Sequence, residues 1–324
     1  MGKVRQNGKK ASRPVLVALT GIMAFVVVFL AATLGLNALA DRMQADSVSI
    51  AKVSLSEPSY VLLIGSDSRK GTALYTGNPK EHGQVKEHAD VLTLVRVDPT
   101  NYTLTFVTIP RDTVITGEDT IIGSYLDDNN PSEMVDAVQR LTGVQIDYYL
   151  LTSFSGFTDL IDSMEGIKVD VPVNVSMNDP STASVVHVEE GDAQKLNGRE
   201  VLAVSRETDA FGAHGDRKRQ EVVRDIEQSI VRKALGYMTE LSVEELVRAL
   251  GRDCDTNMDL ATVGALIMDF ARHSDQVTIY SCTGPYKGGI DRKTGDWVVY
   301  DDPATWRELM LAIGSGQDPA GIVE

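Results

Sequence analysis

The sequence is poor in positive charge once its first residues are set aside. Beyond residue 13, the chain holds 26 Lys and Arg against 46 Asp and Glu, a balance of −20. Since so acidic a surface repels phosphate backbones, the composition disfavours nucleic acid as a partner. An anionic ligand would therefore need a local cluster of arginines or a metal ion to hold it.

Cysteine is also scarce, with only Cys254 and Cys282 in 324 residues. Neither has a histidine nearby in a pattern typical of a catalytic thiol. The even number allows one disulfide between them, if the compartment is oxidising. Two buried free thiols are the alternative.

Charge is absent from residues 15–40, which follow a basic tail at residues 1–14 that contains no acidic residue. About 20 apolar residues at a rise of 1.5 Å are enough to span a bilayer core as a helix. The basic residues before the segment place its N-terminal end in the cytoplasm. We therefore predict a transmembrane signal anchor in the cell membrane, single-pass, with a stalk at 41–57 and an extracellular domain.

From residue 58 onward, short apolar runs alternate with helical patterns, which is typical of an α/β domain. Residues 60–65 read as a central strand, and two further runs flank a polar turn at 98–101 as a hairpin. The predicted fold is α/β, with a single mixed β-sheet flanked by helices (α-β-α) after the transmembrane helix. We predict a catalytic domain at 58–235, an extension packed on it at 236–313 and a loose tail at 314–324.

Polar residues that could carry chemistry follow the predicted strands. Asp67 comes after the first apolar run and Asp90 precedes the next one. Two carboxylates at neighbouring strand ends suit Mg²⁺, which takes one or two protein carboxylates. Arg111 follows Pro110 at the end of a hairpin strand. A turn, a cap or a surface ion pair would explain each of these residues equally well on its own.

Basic residues concentrate between positions 206 and 219 of this otherwise acidic chain. They precede an apolar-periodic helix, whose N-terminus favours anions. Guanidinium groups bind phosphate oxygens with two parallel hydrogen bonds. The cluster therefore indicates a phosphate site, although a solvated run of charges has the same composition.

Five ordered blocks of sequence resemble the LytR-CpsA-Psr family across residues 58–235. The blocks are LLIGSDSR (62–69), ADVLTLVRVDPTNYTLTFVTIPRDT (89–113), GVQIDYYLLTSFSGFTDLIDSMEGIKVDVP (143–172), KLNGREVLAVSR (195–206) and GDRKRQ (215–220). The resemblance implies a phosphotransferase that moves a glycopolymer phosphate from an undecaprenyl-pyrophosphate carrier to peptidoglycan. It also implies Mg²⁺ as cofactor, a pyrophosphatase side activity, and the membrane as a partner.

The resemblance assigns roles to individual positions of this sequence. Asp67 and Asp90 are implied as metal ligands. Asp90, Arg111 and Arg219 are implied as catalytic. The pyrophosphate-binding residues implied are Arg69, Arg111, Arg206, Arg219 and Gln220. Arg217, Lys218 or Arg224 could replace a lost cation, and we include Arg217 among the pyrophosphate ligands.

Four positions depart from the family pattern, at His88, Thr120, Thr208 and Asp216. Each stands where the family has a basic side chain, and a hydrogen bond to a charged group is worth about 1.5–3 kcal/mol. A non-catalytic module that binds a polyprenyl phosphate or a wall polymer is therefore the alternative function.

Overall fold

The computed structural model describes residues 57–67, 88–126, 130–180, 182, 184–237, 251 and 254–323. The predicted basic tail, signal anchor and nearly all of the stalk lie outside these residues. Within the described part of the chain, no helix is both long enough and apolar enough to cross a bilayer.

Most of the described chain folds into strands and helices. The strands are β1 (Ser59–Ser66), β2 (Ala89–Asp98), β3 (Thr103–Thr108), β4 (Thr113–Val114), β5 (Tyr148–Thr152), β6 (Ile167–Val171), β7 (Val175–Asn178), β8 (Val185–Val188), β9 (Gly191–Leu196), β10 (Cys254–Thr256), β11 (Thr278–Thr283), β12 (Lys287–Ile290) and β13 (Trp297–Tyr300). The α-helices are α1 (Ser132–Thr142), α2 (Phe154–Ser163), α3 (Gly198–Arg206), α4 (Gly215–Tyr237), α5 (Leu260–Arg272), α6 (Pro303–Gly314) and α7 (Ala320–Val323). Two 3-10 helices span Ile122–Tyr125 and Asp209–His214.

A six-stranded mixed sheet in the order β10-β5-β1-β2-β3-β11 forms the centre of the fold. The predicted central strand is confirmed as β1, which pairs antiparallel with β2 and parallel with β5. The predicted hairpin of β2 and β3 is also confirmed. Its turn is fixed by Asp98, which accepts hydrogen bonds from the backbone N–H groups of Thr100 and Asn101 at 3.1 and 3.0 Å.

Helices cover both faces of this sheet because successive side chains of each strand alternate between two apolar layers. Leu62, Leu94 and Val107 pack against α1 and α6 on one face. Val95 and Phe106 pack against α4 and α5 on the other. The predicted α-β-α arrangement is therefore confirmed.

The prediction of a single sheet is incomplete, since the described residues also form one three-stranded and two two-stranded sheets. Two of these, β6 with β9 and β7 with β8, form a third apolar cluster with α3 and α4. Strands β7, β8 and β9 were missed because their two or three apolar positions carry little periodic signal.

The residues after 253 are integrated into the central sheet. Strand β10 pairs with β5 at one edge, and β11 pairs with β3 at the other. The prediction of a loose tail after residue 313 is wrong, because Ile322 and Val323 pack against the main core. These two apolar side chains bring the end of the chain back onto the domain.

The structure contradicts a disulfide between the two cysteines. Cys254 lies in β10 and Cys282 in β11, the two outer strands of the sheet. Five strand spacings separate them, which at about 4.8 Å each amount to about 24 Å. A disulfide requires Cα atoms less than about 7 Å apart.

We expect iodoacetamide to alkylate Cys254 and to spare Cys282 in the native protein. Cys282 is 5% exposed, and its burial raises the pKa of the thiol to about 12, so little thiolate forms. Cys254 is only half-buried. Peptide mass spectrometry would locate the label, and labelling in urea, where both thiols should react, is the control. A disulfide-linked peptide in the unreduced protein would contradict the structure.

Candidate functional site

The predicted site residues lie at the border of the central sheet where β1, β3 and β5 end. We call this border the sheet edge, as distinct from the outer strands β10 and β11. Strands β1, β3 and β5 all end at this edge, because β1 is parallel to β5 and both β1 and β3 are antiparallel to β2. Asp67 follows β1, Arg111 follows β3, and Asp90 lies near the start of β2. In α/β proteins, ligands bind at the loops that follow the carboxyl ends of the strands.

Asp90 is positioned by a β-bulge. Ser66 pairs with Ala89 and Gly65 pairs with Val91, so Asp90 is the extra residue between them. A bulge bends the strand and redirects the side chain that it adds. The redirected carboxylate accepts a hydrogen bond from Nη1 of Arg111. This ion pair joins the beginning of β2 to the end of β3.

Asp67 is held by His88, the residue just before β2. Its N–H donates to the carbonyl of His88 at 3.0 Å, and its Oδ1 accepts the N–H of His88 at 2.8 Å. The side chain of Asp67 is 31% exposed. Asp67 and Asp90 therefore lie at the same sheet edge, because Asp67 faces His88, two residues before Asp90.

Arg111 stands among carboxylates. Its Nη1 contacts Asp90, and its Nε lies 3.8 Å from Oδ1 of Asp112. Burial alone would lower the pKa of Arg111, but the charges of Asp90, Asp112 and Asp216 raise it overall. Within the described residues its buried Nε has no hydrogen-bond partner. Arg111 is thus a permanent cation with one donor still unused.

The second turn of α4 brings Arg219 and Gln220 to the same edge. Arg219 is 7% exposed, and its Nη1 donates to the backbone carbonyl of Asp90 at 3.5 Å. Gly215 opens the helix, and a Cβ at this position would lie 2.3 Å from the carbonyl oxygen of Thr208. Only glycine allows the chain to approach itself so closely here.

Asp216 accepts hydrogen bonds from three side chains around it. Its Oδ1 accepts from Nη2 and Nε of Arg219 at 2.8 and 3.1 Å. Its Oδ2 accepts from Nε2 of Gln220 at 2.6 Å and from the hydroxyl of Tyr286 at 3.2 Å. Burial alone would raise the pKa of Asp216, but Arg219 and Gln220 lower it overall, so this carboxyl group is anionic at neutral pH.

Tyr286 is a site residue that sequence reasoning missed. It lies between β11 and β12, outside the five blocks that carry the family resemblance, and no motif marks it. Burial is the main cause, and the charge of Asp216 the second, that raises the pKa of the Tyr286 hydroxyl to about 12. Tyr286 therefore remains a hydrogen-bond donor at neutral pH.

Arg206 borders the same edge from the side of β5. Its guanidinium carbon lies 4.9 Å from the centroid of the Phe154 ring, a cation–π contact, and Nη1 lies 3.7 Å from the sulfur of Met177. Phe154 opens α2 two residues after Thr152, which pairs with Gly65 of β1. Arg206 and Arg219 thus approach the end of β1 from opposite sides.

The inclusion of Arg217 in the pyrophosphate clamp needs correction. Its side chain is 60% exposed, and Nε lies 3.9 Å from Glu221 one turn along α4. Two residues correspond to about 200° around a helix, so Arg217 faces away from the side that carries Arg219. Arg69, the remaining predicted cation, lies outside the described residues.

The metal-binding prediction rests on two carboxylates. Among the residues that the structure describes, no group of three or more His, Cys, Asp and Glu side chains is arranged to hold a metal ion. Mg²⁺ does not need three protein ligands, since water molecules and substrate phosphates complete its octahedral coordination. Asp67 and Asp90 lie at one sheet edge and both have partly exposed side chains, so they fit a Mg²⁺ site with two protein carboxylates.

Comparison with known proteins gives relatives with the same fold. The chain is 27% identical over 220 residues to the polyisoprenyl-teichoic acid–peptidoglycan teichoic acid transferase TagU of Bacillus mycoides, covering 66% of this chain and 65% of that protein. It is 27% identical over 209 residues to TagV of Bacillus subtilis, a transferase of the same description, covering 61% and 52%. The chain therefore spans about half to two thirds of the length of these curated relatives.

The crystal structure of Bacillus subtilis TagV superimposes with a TM-score of 0.63 at 22% identity, covering 81% of this chain and 98% of that one. This likeness establishes the fold. The LytR_cpsA_psr family model matches residues 26–303, well over half of the sequence. The chain therefore belongs to the LytR_cpsA_psr family.

Proposed function

We propose that this protein transfers a glycopolymer phosphate from an undecaprenyl-pyrophosphate carrier to peptidoglycan, with Mg²⁺ as cofactor. The observation that carries the proposal is the convergence of Arg111 and Arg219 on Asp90, one on its carboxylate and one on its carbonyl. The relatives named as teichoic acid transferases support the same reaction class.

The two arginines suit a pyrophosphate because they approach one point from different elements. Arg111 extends from the end of β3 and keeps its Nε donor unused within the described residues. Arg219 extends from the second turn of α4. Phosphoryl transfer depends mainly on positioning and on neutralising the non-bridging oxygens, which is the task that these guanidinium groups would perform.

Asp67 and Asp90 would hold the Mg²⁺. Bound there, the ion would neutralise charge on the pyrophosphate and on the departing prenyl phosphate. Asp90 engages Arg111 through Oδ1, which leaves Oδ2 for other partners. The ion pair and the bulge together keep this carboxylate aimed at the sheet edge.

In the transfer itself, the acceptor hydroxyl oxygen forms a bond to the glycan-linked phosphorus. The bond from that phosphorus to the bridging oxygen breaks, and prenyl phosphate leaves. We assign Asp90 as the base that takes the hydroxyl proton, since it is a partly exposed carboxylate at the site. The predicted membrane anchor at 15–40, with the domain extracellular, would bring the site to its lipid donor.

A non-catalytic binding module of the same fold is the second candidate. The contact of Asp216 with Arg219 favours it, because a carboxylate among the clamp donors opposes the negative charge that develops during phosphoryl transfer. Such a module would hold a polyprenyl phosphate or a wall polymer without breaking a phosphorus–oxygen bond.

A transfer assay with the full chain in detergent separates the two candidates. The substrates are an undecaprenyl-pyrophosphate-linked glycan and peptidoglycan fragments, with Mg²⁺ or with EDTA. We expect Mg²⁺-dependent release of prenyl phosphate, and a loss of about a hundredfold or more for Asp90→Asn, the usual range for a base. Asp119→Asn is the matched control, since Asp119 is 85% exposed and pairs with Lys293. Lipid binding without turnover would reject the proposed transferase activity in favour of the binding module.

A further inference from the structure

The donors proposed to bind pyrophosphate are already engaged by a carboxylate of the protein itself. Both Asp216 oxygens are used, one by Arg219 and one shared between Gln220 and Tyr286. These donors would otherwise be available to phosphate oxygens. Asp216 is itself within α4, three and four residues before Arg219 and Gln220, so its position relative to them is set by one helical turn.

The charges around Arg111 also oppose an anionic ligand. Arg111 and Arg219 supply two positive charges, while Asp90, Asp112 and Asp216 supply three carboxylates. All three of these carboxylates raise the pKa of Arg111, which places them within electrostatic range of one guanidinium. With all three ionised, the group carries one net negative charge, so a bare pyrophosphate meets repulsion.

We propose that Asp216 is an affinity-determining residue whose carboxylate occupies the anion-binding donors of Arg219 and Gln220 until a pyrophosphate displaces it. The inference deepens the proposed function and rests on it for the identity of the ligand. Displacement exchanges one anion for another on the same donors. It requires the Asp216 side chain to turn away, while the helix that carries all three residues stays in place.

Two properties follow from this exchange. Ligand affinity is lower than the donors alone would give, because binding must first release the carboxylate. A divalent cation bound with the pyrophosphate raises affinity strongly, since it offsets the net negative charge of the site. Asp216 thereby favours a metal-complexed diphosphate over the free anion.

The test is the binding of inorganic pyrophosphate to the full chain, measured by isothermal titration calorimetry with EDTA and again with Mg²⁺. The variant is Asp216→Asn, which keeps the size of the side chain and removes its charge. Glu221→Gln is the matched control, because it removes the same charge from the same helix. Glu221 pairs instead with Lys218 at 2.7 Å, outside the site.

We expect Asp216→Asn to bind pyrophosphate at least about tenfold more tightly without metal, equivalent to about 1.4 kcal/mol. Glu221→Gln should bind as the native protein does, and Mg²⁺ should narrow the difference between Asp216→Asn and native. A merely structural role for Asp216 cannot produce this gain, since damage to the site weakens binding.

Equal or weaker binding by Asp216→Asn would overturn the inference, and Asp216 would then be a support that positions Arg219. The absence of binding in every variant would overturn it as well, because the donors would not form an anion site. Neither result depends on turnover. The transfer assay can therefore fail while this inference holds, or succeed while it fails.

Discussion

Arg111→Ala is expected to lower the rate of glycopolymer transfer by about a thousandfold or more, the range found for arginines that stabilise phosphoryl transfer. Arg111 contacts Asp90 directly and keeps a buried Nε without a partner among the described residues, so its loss removes a ligand donor and frees the carboxylate. Its side chain is 39% exposed, so the thermal midpoint should change little. Initial rates and a thermal melt on the same sample would measure both effects.

Arg292→Ala is the matched control, since Arg292 is exposed in the turn between β12 and β13. Arg111→Lys adds a second comparison, because it keeps the charge and loses the planar fork of donors. We expect it to recover only part of the activity. Full activity in Arg111→Lys would show that charge alone is needed, and full activity in Arg111→Ala would remove Arg111 from the mechanism.

The second large effect is on stability. Arg219→Ala is expected to lower the free energy of unfolding by about 3–5 kcal/mol, the cost of leaving one partner of a buried ion pair alone. The side chains of Arg219 and Asp216 are 8% and 26% exposed, so water can only partly replace the lost partner. The net charge of the surrounding group also becomes more negative. Urea denaturation followed by circular dichroism would measure the change.

The double variant Asp216→Ala with Arg219→Ala should recover a substantial part of that loss, because no uncompensated carboxylate remains at position 216. A double-mutant cycle with both single variants would give the coupling energy of the pair. If the two single effects simply add, the pair is not coupled. The hydrogen bonds between these side chains would then contribute little to the fold.

Local patterns in the sequence were sufficient to predict the strands at the centre of the fold. The hairpin could be predicted because Asp98 begins a four-residue polar turn between two apolar runs, and its side chain indeed fixes that turn. The sheet edge that carries Asp67, Asp90 and Arg111 could be predicted because each residue follows or precedes an apolar run. These signals are short-range, and they do not depend on the rest of the chain.

Long-range pairing could not be predicted in this way. Nothing in the sequence near Cys254 or Cys282 indicates that their strands lie on opposite edges of the sheet, so the sequence alone could not exclude a disulfide between them. Tyr286 reaches the site only because β11 places the following turn there. Helical spacing alone could have shown that Arg217 lies on a different face of α4 from Arg219.

Asp216, which stands where the family has an arginine, shows a different limit of prediction from sequence. The sequence shows that an acidic residue replaces a cation, which indicates a weaker clamp. It does not show that Arg219, Gln220 and Tyr286 all turn toward the new carboxylate. That arrangement depends on the first turn of α4 meeting the residues after β11, two segments about 70 positions apart.

The placement of β10 and β11 has a consequence for biosynthesis. Until residues 254–283 have been made, β5 and β3 are the outer strands of the unfinished sheet, with backbone donors and acceptors unpaired. Such edges invite pairing with other nascent chains. Strands β10 and β11 cover both of these edges, so the six-stranded sheet is complete only once translation has passed residue 283.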